Sequence, residues 1–386
     1  MSYTIAVPQL MRIGAGTLSS AADVASRLGI RRPIVISDTF LAQSGSVDRL
    51  VDILARSGLS VAAFTETVPD PTTKSLQPAL DCLNRHEADA VIGFGGGSPI
   101  DTAKALAVLA VSDEPMRSFK APRDYGGPAL PIMAIPTTAG SGSEATKFTV
   151  ITDSETDEKM LCIGNSFLPT AAIVDYELTQ TMPKRLSADT GIDALTHAVE
   201  AYVSIKANPF ADALCLTAMQ GVAKNLRRVY ADGQDSEARE GMMLAATQAG
   251  IAFSNASVAL IHGMSRPIGA HFRVAHGLSN AMLFPEVTRF SVDAAVGRYA
   301  DCGRIMGLAG SGDSDNVAAG KFVDGIAELC LDLHVPTPAQ YGIARAEWDR
   351  LVPTMAEQAL ASGSPSNNPL VPDVEQIVEL YSSVYS

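Results

Sequence analysis

Up to Pro183 the chain alternates short β-branched runs with longer stretches of helical spacing, and beyond it the strands stop. Strand, helix, strand in succession builds a parallel sheet, because a parallel crossover needs a dozen or more residues and is usually a helix. The expected strands are Pro33 to Ser37, Ser60 to Phe64, Ala90 to Phe94, Pro131 to Ile135 and Ala171 to Val174. Two further runs, Phe148 to Thr152 and Lys159 to Ile163, flank the polar stretch Asp153 to Glu158 and predict an antiparallel hairpin. Downstream, Ala194 to Ile205, Phe210 to Tyr230, Ser236 to Phe253 and Val317 to Leu333 are rich in alanine and leucine at helical spacing. The fold class that follows is an α/β domain with a parallel sheet over residues 1–184 and an all-α domain over residues 185–386.

A chain of 386 residues exceeds what one core usually organises, which agrees with two domains, and 47% hydrophobic residues suffice to fill them. The net charge of −13 argues against nucleic acid as a partner and disfavours an anionic membrane surface. Cys82, Cys162, Cys215, Cys302 and Cys330 are scattered and never spaced Cys-x-x-Cys, so buried free thiols are expected rather than a disulfide framework. No basic region followed by an apolar run opens the chain, and no apolar stretch is long enough to span a bilayer. A soluble cytoplasmic protein is the expectation.

After Ala90 to Phe94 comes Gly95-Gly-Gly-Ser-Pro-Ile-Asp101. Glycines let a backbone turn tightly and approach a ligand without a Cβ in the way, and Pro99 suits a first helical position. Ser98 is expected to cap the helix, with Asp101 completing a capping-box-like pair. Such a segment is either a tight strand-to-helix turn or a site where a pyrophosphate meets exposed N–H groups and the positive end of a helix. It lacks the last glycine of the usual dinucleotide fingerprint and the acidic residue expected about 20 positions on. Asp38, at the end of the Pro33 strand, offers an acid instead: it either caps the next turn or accepts hydrogen bonds from a ribose diol, and in the latter role would favour NAD over NADP.

The chain has six histidines, and three of them fall in suggestive places. Asp193 and His197 are four apart in a helical pattern and so share a face, with Glu200 three further on as either a partner that orients an imidazole or a surface carboxylate. His262 and His276 flank a segment broken by Pro267 and Gly269, which lets two helices or one kinked helix turn both rings toward one point. One carboxylate and three imidazoles make a plausible cage for a divalent transition metal. His86 and His334 have no such context.

These residues resemble the iron-dependent, or group III, alcohol dehydrogenases. The similarity lies in Gly95 to Asp101, Pro136-Thr-Thr-Ala-Gly-Ser-Gly-Ser-Glu144, Gly191-Ile-Asp-Ala-Leu-Thr-His-Ala-Val-Glu-Ala-Tyr202, and His262 to Ala270 with His276-Gly277, in family order. The resemblance implies a nucleotide-binding α/β domain followed by an all-helical metal-binding domain, and reversible hydride transfer between a small-molecule alcohol, as its aldehyde or ketone, and NAD. It implies Asp193, His197, His262 and His276 as ligands of Fe2+, with Zn2+ as the other metal that imidazole and carboxylate suit. It implies Asp38, Gly96, Gly97, Ser98, Asp101, Thr137, Thr138, Ser141, Lys159 and Leu178 as cofactor contacts, and a homo-oligomer, dimer or higher. Polyol or hydroxyacid oxidation, or a redox-neutral dehydroquinate synthase-like reaction, are the alternatives on this architecture. Arg266 departs from the histidine many members carry there; it either replaces that ring structurally or pairs with an anionic group on the substrate. The proton route is unassigned: His271, nearby in sequence, is either part of it or a surface residue.

Overall fold

The computed structural model describes residues 2–386, which separate into two compact units, 2–181 and 182–386. In the first, six strands form one parallel sheet in the order β1-β8-β5-β4-β2-β3: β1 Leu10–Ile13, β2 Pro33–Ile36, β3 Ala62–Phe64, β4 Ala90–Gly95, β5 Ile132–Pro136 and β8 Ala171–Val174. Every residue of β2, β4, β5 and β8 is buried, as in a sheet covered on both faces. The period of two then sorts the side chains. Val35, Ile92, Phe94, Met133 and Ile173 face helices α1 Ala21–Arg27 and α3 Ser46–Ala55, which precede and follow the short α2 Thr39–Gln43. Ile34, Ile36, Val91 and Ile132 face α4 Thr73–His86 and α5 Gly97–Leu109.

The expected strands are all present, each within two residues of its predicted ends. β1 is the addition: it lies at the sheet edge with Leu10, Met11 and Arg12 only partly buried, so it carries no β-branched run to announce it. The hairpin is also present, β6 Phe148–Thr152 against β7 Lys159–Ile163, with Phe148 opposite Ile163 and Thr152 opposite Lys159. Its inner face, with Ile151, Met160 and Cys162, packs with Leu76 of α4, Ala105 of α5, Phe119 and Phe167.

The second unit is helical: α6 Lys184–Val203, α7 Pro209–Ala231, α8 Ser236–Ala256, α9 Leu260–Phe272, α10 His276–Ser291, α11 Val296–Ile305, α12 Asp315–Asp332, α13 Pro338–Tyr341, α14 Arg345–Ala361 and α15 Val374–Val384. α6 is its axis, buried almost all round from Ser187 onward and packed by α7, α8 and α10. It begins ten residues before the predicted helix, because Ser187, Asp189 and Gly191 do not read as helix formers, yet small residues are what a helix buried on every side needs. A Cβ on Gly191 would stand 2.3 Å from Leu226 Cδ1.

α8 and α9 meet at a bend of 106°. Ser257, in the left-handed region at φ 72°, makes the turn, and the Asn367 amide fixes it by donating to Ser257 Oγ and Val258 O, both at 3.0 Å. The expected break at Pro267 and Gly269 does not occur: α9 runs through both and ends at Arg273, φ 56°. A proline removes one N–H from a helix, and the packed turns on either side sustain it. Among the described residues no single helix is long and apolar enough to cross a membrane. The five cysteines are free, four of them buried.

Candidate metal centre and cofactor loop

Asp193 and His197 project from one face of α6, His262 from the first turn of α9 and His276 from the first residue of α10. The four side chains converge, each offering one ligand atom, with all four atoms within 4.8 Å of one another. Asp193 Oδ1 is the hub: His262 Nε2 lies 3.6 Å from it, His276 Nε2 3.8 Å and His197 Nε2 3.9 Å. Metal bonds of about 2.1 Å in a tetrahedron would set donor atoms about 3.4 Å apart. The hub distances exceed that by a few tenths of an ångström, and three neutral nitrogens with one carboxylate oxygen are a donor set that iron or zinc accepts. On geometry and chemistry the residues fit a divalent metal.

The surroundings fix each ring. Glu200, one turn beyond His197, accepts the Ile261 backbone N–H at Oε1, 2.6 Å, and holds His262 Nδ1 at Oε2, 2.5 Å. One carboxylate therefore both satisfies an unpaired N–H at the start of α9 and sets the tautomer of His262, leaving Nε2 as the lone pair toward the hub. That decides Glu200's role against a surface one; it is 2% exposed. His197 is stacked between Phe253, 4.1 Å between ring centres, and His262, 4.5 Å. Burial raises the Asp193 carboxyl, but His197, His276 and His262 together outweigh it and hold the group well below the usual carboxylate range. The side chains of Asp193, His197 and His262 are only 3–5% exposed, whereas that of His276 is 41% exposed, so the cluster opens on the His276 side.

Two residues missed in the sequence complete the picture. Asn280, fully buried one turn after His276, points its amide nitrogen at the hub, 2.6 Å from Asp193 Oδ1. Ser364, in the loop before α15, accepts from Arg266 at 3.0 Å. The i, i+4 step from His276 is the signal that could have found Asn280; nothing in the sequence pairs Ser364 with Arg266. Arg266 follows His262 by one turn of α9. Burial pushes its guanidinium down to about 10, only partly countered by Glu200, and no carboxylate lies within ion-pairing distance of it among the described residues. His271 is not brought to the cluster: nine residues beyond His262, about 14 Å along the helix at 1.5 Å per residue, it meets Gln358 at 2.9 Å.

In the first unit the candidate cofactor residues gather at the carboxyl ends of parallel strands. The chain steps from β2 outward to β3 and then crosses back to place β4 on the other side of β2, so the crevice between β2 and β4 is a topological switch point, where open α/β sheets bind ligands. Asp38 follows β2, Gly96, Gly97 and Ser98 follow β4, Thr137, Thr138 and Ser141 follow β5, and Leu178 lies in the turn after β8. Gly95 takes φ 151°, and a Cβ there would stand 2.6 Å from Pro99 Cγ, so the sharp exit from β4 requires glycine.

The expected caps are corrected. Helix α5 starts at Gly97 with Gly96 as its cap residue, and no side chain caps it. Ser98 Oγ instead accepts the Asp70 N–H at 3.3 Å, and the Asp101 carboxylate takes the Ser143 hydroxyl at 2.7 Å and the Val150 N–H at 3.0 Å, tying α5 to the hairpin. A side-chain cap would cover the helix N–H groups; without one they stay available. Asp38 does cap α2, accepting from Leu41 N at 2.9 Å. Lys159, on β7, pairs with Asp70 at 3.0 Å, which brings it beside Ser98.

Residues 8–176 match the family described as iron-containing alcohol dehydrogenase, and residues 187–385 the C-terminal part of the Fe-containing alcohol dehydrogenase family. The chain is 35% identical to lactaldehyde reductase of Escherichia coli (strain K12) over 375 residues, 96% of this chain and 97% of that one. It is 32% identical to the NAD-dependent methanol dehydrogenase of Bacillus methanolicus over 97% of both chains. A solved 1,3-propanediol oxidoreductase superposes with a TM-score of 0.95 at 32% identity, covering 100% of both chains.

Proposed function

From its place in the iron-containing alcohol dehydrogenase family, to which this chain belongs, we propose that Asp193, His197, His262 and His276 hold a divalent iron ion. The loop of Gly96, Gly97 and Ser98 takes the pyrophosphate of NAD. The activity is that of a metal-dependent alcohol dehydrogenase, reversible hydride transfer between a small alcohol, as its aldehyde or ketone, and NAD. The observation that carries the ligand assignment is the approach of three imidazoles to within 3.9 Å of one carboxylate oxygen.

Bound there, the metal supplies Lewis acidity toward the substrate oxygen, and NAD supplies the hydride acceptor. The chain's own residues do the rest. His262 keeps its proton on Nδ1, toward Glu200, and so presents a neutral Nε2. Asp193 brings the one formal negative charge to the cluster, and the exposed side at His276 admits substrate. Asp38 faces the ribose diol and repels a 2′-phosphate; Thr137, Thr138 and Ser141 line the dinucleotide, and Lys159 and Leu178 stand by its ribose and ring. Asp101 serves this site through the hairpin it holds. A cytoplasmic homo-oligomer is part of the same reading.

Chelator-stripped protein should lose turnover and regain it with iron(II), and Asp193→Ala should neither retain metal nor reduce NAD. Full activity of that variant removes Asp193 from the site. NADH accumulating with a simple alcohol separates this chemistry from a redox-neutral cyclisation.

A second reading concerns the substrate, and Arg266 favours it. A desolvated guanidinium whose one short polar contact is a serine hydroxyl has donors to spare for a planar anion. The substrate then carries a carboxylate or similar group, as a hydroxy acid does. Arg266→Gln should lower kcat/KM for anionic substrates at least tenfold more than for neutral alcohols, and an equal loss on both sinks the idea.

A further inference from the structure

Four ligands aimed at one point pose a problem for the protein before any ion arrives. Two of their buried atoms, Asp193 Oδ1 and, with its proton on Nδ1 toward Glu200, His262 Nε2, are acceptors, and buried acceptors without a donor cost about 1–3 kcal/mol each. Asn280 meets that need. Its Nδ2 lies 2.6 Å from Asp193 Oδ1, 3.1 Å from His262 Nε2 and 3.3 Å from His276 Nε2. The side chain is fully buried, so no solvent competes, while its Oδ1 has no hydrogen-bond partner. The opposite placement of the amide would aim that oxygen at the Asp193 carboxylate, so the nitrogen is the atom that belongs at the hub.

We propose that Asn280 is a positioning residue of the metal centre, a fifth member of the cluster that holds Asp193 and His262 in their converged arrangement by donating its two Nδ2 hydrogens. The inference rests on the four-residue metal site proposed above. The contact to Asp193 is the shortest and is charge-assisted. A carboxylate oxygen has a second lone pair, so this bond is compatible with a ligand role for Asp193, whereas the bond to the His262 imidazole would give way to an ion. Asn280 thus supplies in advance part of the ordering that the ion would otherwise have to impose, and fixes which Asp193 oxygen faces inward.

The test is cobalt(II) binding to wild type, Asn280→Ala, Asn280→Leu and Asn225→Ala, measured by chelator competition and visible absorption, with circular dichroism checking the fold. Leucine keeps the volume and loses the donor, so it reports even if the alanine variant is too loose to fold. Asn225 is another buried asparagine with an unpartnered Oδ1, on α7 away from the cluster, and controls for losing a buried amide. The expected result is roughly 10- to 100-fold weaker cobalt binding in both position-280 variants, with altered absorption bands, and wild-type values for Asn225→Ala. Wild-type affinity and spectrum in a folded Asn280→Leu overturn the role of Asn280 while leaving the four ligands standing. A wild-type protein that takes up no cobalt overturns the ligand assignment and the inference with it.

Discussion

Replacing Gly277 with alanine is expected to loosen the metal centre without altering a ligand. A Cβ at this position would stand 2.5 Å from the Asp189 carbonyl oxygen, 2.9 Å from its carbon and 3.3 Å from Asp193 Cβ. Ordinary contact begins near 3.4 Å, so the first turn of α10 has to retreat from α6 by up to 0.9 Å (3.4 − 2.5). The obstructing atoms are mainly backbone of a buried helix and cannot swing aside. Ligand distances in metal sites hold to about 0.2 Å, so a retreat of even half that size carries His276 and Asn280 out of register with Asp193. Overpacking of this kind costs about 1–3 kcal/mol, against which alanine returns at most about 1 kcal/mol of helix propensity. Metal affinity by chelator competition should fall roughly 10- to 100-fold, while urea unfolding of the metal-free protein should show a net loss of about 0–3 kcal/mol. Gly191→Ala, on α6 itself, is the contrast: its Cβ would press on Leu226 Cδ1 and Met242 Cε, the far ends of flexible side chains. That variant should lose stability yet bind metal as wild type does. If Gly277→Ala binds metal with wild-type affinity, the contact between α10 and α6 does not set the geometry of the cluster.

Two further outcomes follow from the first unit. Asp38→Asn retains an oxygen that can cap α2 and removes the charge, so unfolding free energy should stay within about 0.5 kcal/mol while kcat/KM with NADP rises at least tenfold relative to NAD; an unchanged cofactor ratio takes Asp38 away from the ribose. Lys104 is fully buried, donates to Thr146 O, Thr146 Oγ1 and Phe148 O, and burial pushes it down to about 8 despite Asp101 and Glu144. The unfolded chain keeps the ordinary 10.5, so between about 8 and 10.5 it binds a proton the folded protein has released. Stability from this group therefore rises with pH in that window, by at most about 1.4 kcal/mol per pH unit, and is level below it. The difference in unfolding free energy between wild type and Lys104→Met should climb from pH 8 to 10.5, and a level difference contradicts the assignment.

What the sequence made legible was periodic or local. Fully buried strands declare themselves as apolar runs, which is why β2, β4, β5 and β8 are readable and the half-exposed β1 is not. Asp193 with His197 is readable because a four-residue step in a helix is a fixed geometry, and the convergence of His262 and His276 on that pair agrees with the cage drawn from spacing. Reading fails where a side chain's partner is remote. The glycine loop suggested Ser98 as its own cap, whereas Ser98 answers to Asp70 and Asp101 to Val150, neighbours supplied by the chain crossing behind α5. The break expected at Pro267 fails for a related reason, since a proline's effect depends on whether packing sustains the turns around it.

Each helix that packs its ligand toward α6 is registered by specific contacts. α9 is set at its start by Glu200, which grips both Ile261 N and His262, and by Gly263, where a Cβ would stand 2.7 Å from Pro365 Cδ. α10 is set by the close approach at Gly277. The Glu200 and Gly277 contacts involve no atom of residue 266, whereas Gly263 packs on Pro365, next to the Ser364 that Arg266 bonds. That position can therefore change in size and charge with the Glu200 and Gly277 contacts in place, which is the condition under which a site keeps its metal chemistry while altering its substrate. An arginine at 266 gives the centre a cation while leaving its geometry to Glu200 and Gly277.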